Sequence, residues 1–291
     1  MPHVPPQVKS PPKARPGAVA LALGAALLAA APAARAAPAS PLARTFTPWE
    51  RPPPPPPPAD AELLALGERV FRGACVGCHG EKGDGAGREG KHLPIPPRDF
   101  VTAQFLCRHT PSGSLPRDED LFRSIRRGFK SQVGMPSFRF LSDREVWAVI
   151  SFVKTLSTRW KEEEVPPAIT VPVPPPFTAA GVSRGAALYV EKGCVKCHGE
   201  RGRGDGRSAA ALRYDNELPI RPADFAKPRD FKCGERPADV FRTLVNGMDG
   251  TPMPSFSDEL TDAQRWDLVQ FVLSIARAEA SPAPQAAAAG R

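Results

Sequence analysis

The chain has 291 residues but only two tyrosines and four methionines. No cysteine precedes Cys75, so no lipid-attachment thiol lies near the amino terminus. No apolar run reaches the ~20 residues that span a bilayer; the uncharged stretch 17–31 is too short. No segment alternates apolar and polar residues convincingly enough for a half-buried strand, which argues against sandwiches and barrels. The formal net charge of +8 falls to +4 when Lys9, Lys13, Arg15 and Arg35 of residues 1–36 are set aside, which is no strong surplus of one charge. The 39 basic and 31 acidic side chains are spread diffusely, which gives no footprint for nucleic acid.

Proline, by contrast, is plentiful at 37 residues and falls in runs. Residues 1–36 have the anatomy of a secretory signal. Lys9, Lys13 and Arg15 precede the uncharged stretch, and Ala34-Arg35-Ala36 forms an A-x-A cleavage site. Export to the periplasm with cleavage after Ala36 is expected, retention as an anchor being the other reading. Residues 37–59 include the unbroken run Pro52 to Pro58, a stiff polyproline spacer. A second proline-rich linker occupies 161–177, and the Ala/Pro-rich tail 278–291 is expected to be disordered.

Between these segments lie two blocks, 60–160 and 178–277, that repeat one pattern. The first reads CVGCHGEKGDG, LPIPPRDF, DLFRSIRRG, MPSF and LSDREVWAVISFVKTL. The second reads CVKCHGERGRG, LPIRPADF, DVFRTLVNG, MPSF and LTDAQRWDLVQFVLSI. Such repetition is internal duplication. Apolar positions at helical spacing in 60–74 and 143–156, and after Thr261, predict an all-α fold of three or four helices per block.

Each block carries C-x-x-C-H, the pattern of covalent haem attachment: Cys75, Cys78 and His79, then Cys194, Cys197 and His198. Two thiols one helical turn apart meet the two porphyrin vinyl groups, and the adjacent His binds iron. Two rival readings are weaker. A single zinc site made from both cysteine pairs leaves the two histidines unexplained, and a thioredoxin-like C-x-x-C lacks its βαβ context. Two covalently bound haem c groups are the expected cofactors. For the sixth iron ligand, Met135 and Met253 share the context Met-Pro-Ser-Phe at nearly equal distances from their histidines. Met248 has no evident counterpart. His92 and His109 rival Met135 in the first block but do not recur in the second. His/Met ligation raises the potential and suits electron transfer.

The chain resembles the diheme class I cytochromes c of bacteria, built from two mitochondrial-cytochrome-like domains. The resemblance covers both blocks and implies two tandem class I domains, each with a first helix crossing a last. It implies that Gly67 with Phe71, and Gly185 with Tyr189, form the close crossings. Their partners would be Trp147 or Phe152, and Trp266 or Phe271. It also implies that a proline carbonyl orients each proximal histidine, from Pro97 or Pro94 and from Pro222 or Pro219.

The remaining features leave alternatives open. Cys107 and Cys233 sit at matched places; they are buried free thiols, one interdomain disulfide, or an iron ligand. The glycine loops 83–87 and 202–206 read as tight turns. Arg123, Arg126, Arg127 and Lys130 form either a solvated helix face or a docking patch for an acidic partner. Their charge would raise the potential of the Cys75 haem. The expected function is electron transfer between redox protein partners, with no catalysis, either as a soluble carrier or seated peripherally on a membrane respiratory complex. The alternative is a diheme enzyme, a peroxidase or a sulfur-oxidising cytochrome.

Overall fold

The computed structural model describes residues 52–93, 95, 97–129, 134–227 and 230–280. The expected signal, most of the first linker, Lys130 and residues 281–291 lie outside the described residues.

The first half opens with α1 (Ala61–Ala74). Asp60 caps it, its carboxylate accepting from Leu63 N at 2.7 Å. Leu63, Gly67 and Phe71 are buried at a spacing of four, so they form one face. The single turn α2 (Val76–His79) follows, then a 3-10 turn (Gly90–His92), α3 (Asp118–Arg127), α4 (Asp143–Thr155) and the short α5 (Arg159–Glu162). Ser142 and Glu145 form a capping box at the start of α4. The second half repeats this order: α6 (Ala179–Glu191), α7 (Val195–His198), a 3-10 turn (Ala209–Ala211), α8 (Pro237–Asn246) and α9 (Asp262–Ala280). Among the described residues the only sheet-like contact is an isolated bridge, Arg213 to Pro219. The fold is all-α.

In each half the first long helix crosses the last, α1 on α4 and α6 on α9. A side chain at Gly67 would overlap the Ala148 carbonyl, and one at Gly185 would overlap the Asp267 carbonyl. The aromatic partners are Phe152, 5.2 Å from Phe71, and Phe271, 5.0 Å from Tyr189. Trp147 and Trp266 instead meet Phe122 and Phe241. Each helical residue is turned about 100° from the next. Phe152, four residues beyond Ala148, therefore shares its face, whereas Trp147 looks toward α3.

One boundary shifts. Helix α9 continues to Ala280 rather than stopping before residue 278. The Arg277 guanidinium lies 3.7 Å over the Phe177 ring, which anchors this last turn. The second proline-rich linker is extended but held in place. Val165 packs on the first core, Val171 on the second, and Ile169 N donates to His109 O at 2.7 Å.

The two halves lie within one compact unit. Cys107 and Cys233 are joined as a disulfide, with Cα atoms 5.1 Å apart. This selects the interdomain bond from the three readings of these residues. The surrounding contacts are exchanged in kind. Near the end of α3, Arg127 donates to Phe231 O beside Cys233; at the end of α8, Asn246 donates to Arg108 O beside Cys107. Equivalent segments meeting this way is what a pseudo-two-fold arrangement produces. The Arg108 side chain, fully buried, pairs with Asp249 at 2.7 Å and also donates to the Phe105 and Pro111 carbonyls. Ile95, Tyr214 and Ile220 form a small apolar cluster across the same seam.

Candidate functional site

Each C-x-x-C-H segment is one helical turn tied to its own start. Cys78 N and His79 N both donate to Cys75 O, at 3.1 and 2.8 Å; Cys197 N and His198 N donate to Cys194 O, at 3.2 and 2.9 Å. The two thiols of each pair are thereby set one turn apart with the histidine adjacent. Gly80 and Gly199 follow at φ of 80°, where a side chain is strained. The chain turns back there, and the glycine loops are the tight turns the sequence suggested.

A backbone carbonyl faces each imidazole. His79 Nδ1 lies 3.0 Å from Arg98 O, and His198 Nδ1 lies 3.4 Å from Ala223 O. In place of Pro97 and of Pro222 or Pro219, the carbonyl comes from the residue after Pro97 and after Pro222; Pro94 lies outside the described residues. The proline carbonyls themselves face Gly85 and Gly204 in the turns. Phe100 stacks on His79 with centroids 4.3 Å apart, and Phe225 on His198 at 4.5 Å. The backbone of each is fixed by donation to Gly83 O and Gly202 O. Sequence reasoning missed these two aromatics, although Asp-Phe recurs in both copies of the motif. Burial pushes both imidazoles below the usual histidine range, His198 to about 4. A neutral ring donating through Nδ1 keeps the Nε2 lone pair for a metal.

Both methionine segments are pinned to the end of a helix. Ser137 Oγ donates to Arg126 O at 2.6 Å, and Phe138 N to Ile125 O at 3.1 Å. In the second half Ser255 Oγ donates to Val245 O at 2.6 Å, and Phe256 N to Leu244 O at 2.9 Å. These contacts use carbonyls that a helix end leaves without partners. Met135 packs on the core cluster that Phe100 also touches; Met253 packs on the cluster that includes Phe225 and touches Cys194. Met248 does have a counterpart. Its N–H donates to Met253 O at 3.0 Å, as that of Phe129 does to Met135 O at 2.9 Å. Met248 therefore fills the place of Phe129. His109 is held by Asp120 and Arg123, and His92 is exposed.

The residues present fit a covalently attached haem in each half. Each half offers paired thiols, a neutral imidazole and a thioether. Trp147 and Trp266, at matched positions, keep buried indole N–H groups without a hydrogen-bond partner, an arrangement that protein atoms alone leave incomplete. Burial pushes the Cys75 and Cys194 thiols up to about 11. Among the described residues no three His, Cys, Asp or Glu side chains gather as metal donors.

The basic cluster is only in part a solvated face: Arg123 is exposed, while Arg126 and Arg127 are partly buried. Arg126 binds the Phe138 and Leu141 carbonyls and Asp143, Arg123 pairs with Asp120, and Arg127 reaches Phe231 O of the other half. Its charge is spent on the first core and the seam between the halves. Lys130 lies outside the described residues.

Comparison with known proteins bears on both halves. Residues 62–153 match the family described as "Cytochrome C oxidase, cbb3-type, subunit III", and residues 182–276 match "Cytochrome c". A cbb3-type cytochrome c oxidase subunit CcoP of Azospirillum brasilense is 24% identical over 224 residues, 73% of this chain. The alignment spans 62% of that relative's own length. A chain of the Kuenenia stuttgartiensis reducing HAO-like protein complex Kustc0457/Kustc0458 is 37% identical. It superposes with a TM-score of 0.71, covering 76% of this chain and 99% of that one. Among the described residues no helix is long and apolar enough to cross a membrane.

Proposed function

Because the chain belongs to the class I cytochromes c, as two such domains in tandem, we propose that it is exported to the periplasm and docks there between a redox donor and an acceptor. It carries two covalently bound haem c groups and transfers electrons as a cytochrome subunit. The observation that carries this reading is the recurrence of the whole site, from thiol pair to Met-Pro-Ser-Phe, in both halves.

In this proposal Cys75 and Cys78 hold one haem through thioethers, and Cys194 and Cys197 hold the other. His79 and His198 are the proximal ligands, Met135 and Met253 the distal ones. Haem c supplies a one-electron couple between ferric and ferrous iron. The protein's part is to hold the ligands still and keep water out. Arg98 O and Ala223 O fix the imidazole planes, Phe100 and Phe225 cover them, and the serine and phenylalanine of each Met-Pro-Ser-Phe fix the thioether. A histidine and a thioether on each iron would leave no open position for a substrate, and Cys107 and Cys233 are bound to each other. These features support a carrier over a diheme enzyme.

The seam supports rapid exchange between the halves. The loop that ends in Met253 abuts Arg98, whose carbonyl faces His79. The parts that fix one site thus touch the parts that fix the other.

Mass spectrometry of the mature protein is expected to show two haem additions on a chain that starts near Ala37; one haem, or zinc, would refute the reading. The ferric protein is expected to show the near-infrared sulfur-to-iron band at two-site strength. Met135→Ala and Met253→Ala should each remove about half of it, and Met248→Ala should leave it whole. Loss of band on changing Met248 would mean that the ligand assignment is wrong.

A further inference from the structure

The second half buries a basic residue where the first buries an apolar one. Phe231-Lys232-Cys233 matches Phe105-Leu106-Cys107 in sequence, and both Lys232 (9% exposed) and Leu106 (7%) are buried. Lys232 reaches the segment that holds the second histidine. Its Nζ donates to Arg221 O at 3.3 Å, two residues before the Ala223 carbonyl that faces His198. Among the described residues no carboxylate lies within ion-pair distance of it. Burial pushes the Lys232 ammonium below the usual lysine range, and Asp230 acts against that shift. The nearby Asp224 is already paired with Lys227 at 3.0 Å and with Arg203 at 3.7 Å.

The first site has a basic residue too, but its charge is directed elsewhere. Arg98 lies over the Tyr214 ring at 5.8 Å, in the field of Asp215 and Asp249 of the second half. Those carboxylates offset it only in part, Asp249 being already paired with Arg108 at 2.7 Å. A buried ammonium held on the segment that orients an iron ligand disfavours the ferric state, and burial limits its screening.

We propose that Lys232 is a positioning residue that sets the second haem at a higher potential than the first, so that electrons enter through the Cys75 haem and collect on the Cys194 haem. This rests on the two-haem reading above and reverses the order that the basic cluster suggested. A buried unit charge within ~10 Å, at an effective dielectric of ~20, shifts a one-electron equilibrium roughly tenfold, which is about 59 mV.

Potentiometric titration of the full-length holoprotein tests it, after haem content has been read by the pyridine haemochrome. Two one-electron waves are expected. Lys232→Leu should lower the upper wave by about 59 mV, a tenfold change, and leave the lower wave in place. Lys232→Arg, which keeps the charge, should leave both in place. Leu106→Lys should raise the lower wave. Should Lys232→Leu fail to fold, Lys232→Gln and Leu106→Lys carry the same test. Two haems with waves that do not move in Lys232→Leu, or that move equally in Lys232→Arg, overturn the role of Lys232 alone. Fewer than two haems in the wild-type protein overturn both this proposal and the carrier reading.

Discussion

Gly185→Ala is expected to cost the second half its native packing, and Gly67→Ala the first. At both positions an added Cβ would overlap a backbone carbonyl of the crossing helix, from Asp267 or Ala148, and crowd the Cβ of Phe271 or Phe152. A backbone atom cannot rotate aside as a side chain can. The helices must separate, which pulls apart Tyr189 and Phe271 or Phe71 and Phe152. Ordinary overpacking costs roughly 1–3 kcal/mol, and these variants should reach or exceed the top of that range. Gly73→Ala is the control. It lies in α1 with nothing within 4 Å of an added Cβ, so helix propensity alone applies and the change should be neutral or stabilising by up to ~1 kcal/mol. Denaturant unfolding followed by far-ultraviolet circular dichroism checks this. Equal stability for Gly185→Ala and Gly73→Ala would show that the crossing is not as close as described.

Removal of the bond between Cys107 and Cys233, as Cys107→Ser with Cys233→Ser, is the second change with a large expected effect. The cysteines are 126 residues apart, and in the chain-entropy picture a loop of that size is worth ~5 kcal/mol. The loss should fall on the seam, because each half keeps its own helix crossing and its own core. Unfolding should therefore separate into two transitions where the oxidised protein shows one. The Arg108 to Asp249 pair, with its added carbonyl contacts, should hold the halves loosely in register. Reductant should reproduce the double variant in the wild-type protein and change nothing in the variant. A single unshifted transition in the variant would mean that noncovalent contacts alone hold the seam.

The sequence and the structure divide the account by the range of the forces involved. C-x-x-C-H needs only one helical turn, so its thiols and histidines are placed by residues next to them, and duplication exposes the pattern twice. Helix starts are local as well. Asp60, Ser142 and Glu145 cap through bonds spanning three residues. Prolines stop helices without help from any partner. The all-α class, the two copies and the methionine segments were legible for these reasons.

Distant partners were not legible. Which carbonyl faces a histidine depends on how the 93–100 and 218–225 segments turn, and the turn brings forward Arg98 and Ala223 in place of their proline neighbours. Which aromatic meets Phe71 depends on the rotation of α4, which turns Phe152 inward and Trp147 toward α3. The basic cluster read as free charge because its partners Asp143 and Phe231 lie far along the chain. Cys107 and Cys233 could be read three ways until the halves came together along their seam. Composition and local pattern fixed what each half is, because short-range geometry decides helices and thioether spacing. Only tertiary packing decided how the halves are joined, because the contacts of the seam close over loops of a hundred residues or more, with no local signal to announce them.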